Sequence, residues 1–240
     1  MTRRGTFLLL IFVSVTCLIL AGCSESTKPK PHGCDGSNCL LPRTSSAAVL
    51  QDLRVIYSVM DNNVTTPADA HALAAKYREL FHPDFKFYFL PEDTPPDHLE
   101  GWWGRDNEAA AFDSLVTKRA RGIVDEIQLS WSVGTAVPDD RVTDPPPPES
   151  PQLLHPDWMH THVTSILLDI IEGDMTYRLS NAVADFYFAP DPADSTLWLI
   201  TEWYDRQTPG SLPSQSRGSF SVSPAPVGGG WGRFKYLFSQ

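Results

Sequence analysis

The chain has 240 residues, 42% of them hydrophobic and 20% charged, enough apolar side chain for one sizeable globular core. Nineteen basic residues against 29 acidic ones give a formal charge of -10. That balance argues against nucleic-acid binding, which relies on Lys and Arg meeting phosphate, and against adhesion to an anionic membrane surface unless a covalent group holds the chain there.

Met1–Arg4 is a short basic stretch, and Phe7–Leu20 is an apolar run of 14 residues. A spanning helix needs about 20, so the run fits the core of a signal peptide better than a membrane span. It ends in Leu20-Ala21-Gly22-Cys23. This ending resembles the lipobox of bacterial lipoproteins. The resemblance implies cleavage between Gly22 and Cys23, a diacylglyceryl group on the Cys23 thiol and an acylated new N-terminus, palmitate being the kind of chain expected. Two or more acyl chains hold a protein stably on a bilayer, where one is marginal. The partner so implied is the lipid bilayer of the bacterial cell envelope. Ser24 stands where an Asp would signal retention, which points to the outer membrane, facing the periplasm, in an organism that has one. Losing Met1–Gly22 removes Arg3 and Arg4 and moves the formal charge to -12.

Export permits disulfides. With Cys17 lost and Cys23 capped, Cys34 and Cys39 in "HGCDGSNCL" form the expected pair. Metal binding by these two alone is disfavoured, because zinc sites use four ligands. The stretch 23–44 is polar and aperiodic and reads as a tether, leaving 45–240 as the folded domain.

Val49, Leu50, Leu53, Ile56, Tyr57 and Met60 fall at helical spacing behind a cap at Thr44, Ser45 or Ser46. Thr66 and Pro67 open a second helix, with Ala70, Leu73, Ala74, Tyr77, Leu80 and Phe81 on one face, stopped by His82-Pro83. Asp84–Leu90 reads as a strand, and Arg105–Arg119 as a third helix with Ala109, Phe112, Leu115 and Val116 as its face. From Ile127 to Val133 the period becomes two. Val163–Ile171 and Met175–Phe188 are joined by the turn Glu172-Gly173-Asp174, and Leu197–Tyr204 follows. These strands predict a curved antiparallel meander. A Pro-rich insertion near 138–157 and a Ser/Pro/Gly loop near 207–230 interrupt it, and "WGRFKYLF" is too aromatic for a free tail and is expected to pack back.

The order helix, helix, aromatic strand, helix, meander resembles the NTF2-like superfamily, an α+β cone of helices packed on a curved antiparallel sheet. "YRELFHPDFKFYF" at 77–89 and "LWLITEWYDR" at 197–206 carry the resemblance. It implies a small apolar ligand or a protein partner bound in the cone or its mouth. Isomerases, dehydratases and epoxide hydrolases share the fold, so fold alone does not choose. No residue set of the family's enzymes maps onto this chain, and no cofactor is expected.

Chemistry in such a cone would fall to buried carboxylates. The strands offer Glu126, Asp169, Asp185, Glu202 and Asp205, with Asp169 and Asp185 the candidate bases beside a cavity lined by Tyr88, Trp131, Tyr177 and Trp203. The competing reading places them at the surface, paired with Arg178 or its like. His160 and His162, two apart on a strand, could share a metal with His155 or Asp157, and solvent-facing histidines are the reading preferred over that one. Of the adjacent Trp102 and Trp103, one is expected to pack and the other to line a mouth. The leading expectation is a non-catalytic lipoprotein that binds a ligand or partner; the alternative is an isomerase, dehydratase or hydrolase with a buried Asp base.

Overall fold

The computed structural model of the chain describes residues 40–143, 151–206 and 230–239, without the side chains of Asp61 and Asn62. All of them belong to the second of two units, Met1–Cys34 and Asp35–Gln240. Cys23, Cys34 and Cys39, the signal segment and most of the tether lie outside the described residues, as do 144–150 of the Pro-rich insertion and 207–229 of the later loop.

Helix α1 (Ser46–Asn63) starts at Ser45, whose side chain accepts from the Ala48 amide. Helix α2 (Pro67–Arg78) starts at Thr66, with a full capping box to Asp69 and Pro67 at the first position. Both caps satisfy amides that a helix end leaves bare. Strand β1 (Phe81–Tyr88) begins three residues earlier than the His82-Pro83 stop predicted, because Pro83 sits in the exposed part of the strand. A pair of tryptophans forms the short β2 (Trp102–Gly104) and leads into α3 (Arg105–Ala120). The buried face of α3 is Glu108, Ala111, Phe112, Leu115 and Val116, so the stripe begins at a carboxylate and not at Ala109.

Strands β3 (Glu126–Val133), β4 (Val137–Pro138), β5 (Met159–Glu172), β6 (Met175–Pro190) and β7 (Trp198–Arg206) follow. The seven-stranded sheet runs β2-β1-β7-β6-β5-β3, with β4 paired to β5. All pairs are antiparallel except β1 with β7, the one departure from the expected antiparallel sheet. The β5–β6 hairpin turns at Gly173, in the left-handed region at φ 57°, where glycine costs nothing. Further along it, Ser165 and Asn181 also take positive φ, and the register shifts between Val163 and Ile166. An extra residue in a strand bends it and increases its twist, which curves these two long strands.

Helices cover one face of the sheet. Phe85, Phe87, Phe186, Phe188, Trp203 and Ile166 point into that covered face and are buried. The fold is α+β, helices on a curved, mostly antiparallel sheet, in the element order that the resemblance implies. The flanks of the Pro-rich insertion lie on the opposite face. Val142 and Leu153 form an isolated bridge, and Arg141 binds Asp139 through Nε (2.9 Å) and Nη2 (2.7 Å) and Glu202 through Nη1 (2.6 Å). The last element, α4 (Trp231–Ser239), returns to the covered face. Trp231, Gly232, Phe234, Lys235 and Phe238 are buried there. Among the described residues no helix is long and apolar enough to cross a membrane.

Candidate functional site

The interior between the helices and the sheet is built around one carboxylate. Glu108 lies in the first turn of α3 and is only 1% exposed. Its Oε1 accepts from the Tyr77 hydroxyl of α2 and its Oε2 from Trp103 Nε1 of β2, at 3.0 Å for the indole. Lys235 of α4 donates to both oxygens, at 2.7 and 2.8 Å. A buried charge requires this degree of pairing to be tolerable.

Aromatic rings wall the pair. The Lys235 Nζ stands 3.3 Å from the centroid of Trp203 and 3.8 Å from that of Phe87, well inside cation–π range. Tyr77 stacks on Phe112 at 3.9 Å, and Tyr57 meets Tyr77, Phe112 and Trp231 edge-on. Trp131 and Trp203 both pack against Trp231, and Tyr177 meets Phe238. With α4 seated, the residual cavity is about 20 Å³, room for about one water.

Two carboxylates hold the start of α4. Asp205 Oδ2 accepts from the Gly232 amide at 2.9 Å, and Asp93 accepts from the Gly230 amide. Negative groups at a helix N-terminus satisfy bare amides and complement the dipole. Gly230 and Gly232 permit this approach. A Cβ at Gly230 would stand 2.1 Å from Asp205 Oδ2, and one at Gly232 would stand 2.4 Å from Phe89 Cδ1.

Burial dominates the proton equilibria. It pushes the Asp205 carboxyl up to about 7, aided by Asp93 and opposed by the Gly232 amide and by Lys235. It pushes the Lys235 ammonium down to about 8, against the pull of Glu108. Burial and Glu108 together hold the Tyr57 and Tyr77 phenols well above their usual range.

The sequence-predicted residues divide between the two faces. Trp131, Tyr177 and Trp203 lie on the covered face, in contact with α4. The residual cavity is lined by none of the six, and Tyr88, Asp169 and Asp185 lie on the opposite face of the sheet. Tyr88 follows the inward Phe87 and stacks on Tyr204 at 4.2 Å on the opposite face. Asp169 sits between Leu168 and Ile170, which line the cavity, so it points away from it. There it accepts from Arg178 twice, each at 2.7 Å. Asp185 likewise alternates with the inward Phe186. It joins His160 at 3.1 Å, His162 at 2.7 Å and Arg206 at 2.8 Å. Burial works against its charge, but those three partners hold it below the usual carboxylate range.

His155 stacks on Trp158, whereas His160 stacks on Tyr187. Among the described residues no group of three or more His, Cys, Asp or Glu is placed to hold a metal ion. Of the other strand carboxylates, Glu126 accepts from Gln128, Glu202 binds Arg141, and Asp205 is the one that turns inward. Trp103 packs and Trp102 lies half-buried with Lys86 over its ring.

Sequence reasoning missed Tyr57, Tyr77, Trp103, Glu108 and Lys235 as site residues. The available signal was a charge inside an apolar stripe. Glu108 precedes Ala111, Phe112 and Leu115 at helical spacing, and Lys235 falls in register with Trp231, Phe234 and Phe238.

No known protein family matches this chain, and no curated protein does. Among solved structures it is similar to the beta subunit of the benzoate 1,2-dioxygenase from Burkholderia mallei, at 9% identity and TM-score 0.37, over 67% of this chain and 89% of that one. It is similar to a putative scytalone dehydratase from Novosphingobium aromaticivorans, at 10% identity and TM-score 0.36, over 75% and 93%. An NTF2-like protein with a cystatin-like fold from the same organism gives 15% identity and TM-score 0.32, over 72% and 91%.

Proposed function

We propose that this protein is exported, anchored by lipid on Cys23 to the bacterial cell envelope, and binds a small apolar ligand or a protein partner through the cavity or mouth of its cone without catalysing a reaction. The observation that supports the binding role is the seat under α4. An aromatic pocket around Glu108 takes up a separate segment of chain, which buries three aromatic side chains and Lys235 in it. A surface that accommodates such a segment is shaped for uptake, and the residual space beside it is walled by apolar and aromatic side chains together with Glu108 and Lys235.

Mass spectrometry of protein recovered from bacterial membranes tests the anchor. The expected N-terminus is an acylated Cys23; a chain beginning at Met1 with a free Cys23 thiol overturns it. Binding is tested with N-phenyl-1-naphthylamine, a neutral apolar dye. Its fluorescence should rise on the full-length protein and rise further on Phe238→Ala, which loosens α4. No dye binding by either protein ends the small-ligand reading and leaves the protein partner as the binding role.

The enzymatic alternative has one observation in its favour. Asp205, buried and pushed up to about 7, has the proton affinity of a general base. Its Oδ1 lacks a hydrogen-bond partner in its burial. Yet its Oδ2 faces the first turn of α4, where it caps the helix. Neither Asp169 nor Asp185, on the far face of the sheet, serves that reading.

A further inference from the structure

The Glu108 seat is complete without α4. Tyr77 comes from α2, Trp103 from β2, Phe87 from β1 and Trp203 from β7. Two neutral donors therefore hold a carboxylate in place inside a ring of aromatic faces before any cation arrives. Of the buried carboxylates, Glu108 from α3 and Asp205 from β7 meet the buried ammonium of Lys235, which is carried on α4, while Asp93 from the loop after β1 faces Arg233 of the same helix. Stability alone does not explain this pairing. A buried ion pair is weak evidence for stability, and apolar side chains of similar volume would plug a cone at least as well. A preorganised anion inside aromatic walls is, by contrast, the arrangement that recognises ammonium groups.

We infer that the cone is a binding site for an organic ammonium ion with an apolar tail, and that Lys235 on α4 occupies it as the chain's own competitor. The head of such a ligand takes the Nζ position between Glu108, Trp203 and Phe87. Its tail takes the apolar space that Phe234 and Phe238 fill against Leu168 and Ile170. The inference rests on the binding role proposed above and names its ligand class. A ligand must displace α4, so apparent affinity is reduced by the fraction of molecules in which α4 is docked.

The test titrates full-length protein with octylammonium chloride at neutral pH, with 1-octanol as the neutral control of equal length. Tryptophan fluorescence and calorimetry read binding. Lys235→Ala removes the competitor and Phe238→Ala weakens the docking of α4 while keeping both charges. Each is expected to bind octylammonium about tenfold or more tightly than the wild type. Adding Glu108→Gln to Lys235→Ala should erase the preference for ammonium over alcohol, because Gln still accepts from Tyr77 but carries no charge. Thermal melts establish that each variant folds. If Lys235→Ala does not, Phe238→Ala decides by the same comparison, and if neither folds the wild-type preference decides. Equal binding of amine and alcohol throughout overturns the cationic ligand while leaving an apolar one standing. Binding of neither probe by any variant overturns both readings.

Discussion

Glu108 and Lys235 show how a charge can belong to a core. Each lies at most 7% exposed, and each answers the other at 2.7 Å. Removing one member of such a pair strands the other in a low-dielectric interior, at a cost of about 3–5 kcal/mol. Lys235→Met should therefore lower unfolding free energy by about 3 kcal/mol in urea titrations. The double variant with Glu108→Gln should recover at least half of that, because the stranded charge is then gone and Gln keeps an acceptor for Tyr77. Additive losses would show that the two residues do not act as a pair. The reason these residues escape a reading of the sequence is also physical. A stripe is recognised by its apolar members, so a charge in register looks like an interruption. It becomes a signal only when a second stripe carries the opposite charge, and the chain separates the two by more than 120 positions. Trp203 was legible as an inward-facing strand residue, since it stands between the more polar Glu202 and Tyr204. Tyr88 and Asp169 were legible only as strand residues, because period two says that neighbours oppose one another and not which set faces inward.

At the scale of elements, punctuation decided what could be foreseen. Thr66, Pro67 and Asp69 announce α2, and the structure shows all three in their capping roles. The curvature of β5 and β6 was legible only as strand length. Ser165 and Asn181 make the bends at positive φ without glycine; asparagine takes that region more readily than most residues, but a single Asn inside a strand is a weak mark and Ser165 carries none. Helix α4 shows a short aromatic run whose helical state comes from docking, since nine residues are too few to be stable alone. Its seat makes a specific demand at Gly232. In an ordinary helix Gly→Ala gains about 1 kcal/mol in propensity. Here the new Cβ would meet Phe89 at 2.4 and 3.1 Å and Phe87 at 3.3 Å, both of them buried rings. Gly232→Ala should thus lower the melting temperature and shift tryptophan emission to the red as Trp231 leaves its contacts with Trp203 and Trp131. A gain in stability from this substitution would mean that α4 does not depend on that close approach.

For the whole molecule, the same seat couples the fold to protons. The helices and the sheet close over an interior whose carboxylates outnumber its ammonium, and α4 is held at one end by Asp205 and Asp93 and in its middle by Glu108. Burial raises Asp205 from 3.8 to about 7, and burial likewise raises Asp93, each opposed by a glycine amide of the α4 entrance. A carboxyl whose folded value is raised binds its proton more tightly in the native state than in the unfolded one. Its stabilising contribution is then full below about pH 4 and fades as pH rises through about 7. One pKa unit corresponds to 1.36 kcal/mol, so the swing attributable to Asp205 is at most about 4 kcal/mol. Other groups also make stability depend on pH, among them Asp185, whose lowered value makes its contribution fade only as pH falls below the usual carboxylate range. The measurement is therefore a difference between two proteins. Asp205→Asn keeps an acceptor for the Gly232 amide and carries no charge at any pH. Its melting temperature should exceed that of the wild type at pH 8 and approach it by pH 5, where Asp205 is itself neutral. A constant difference across that window would show that Asp205 does not change protonation on folding, and the docking of α4 would then be indifferent to pH.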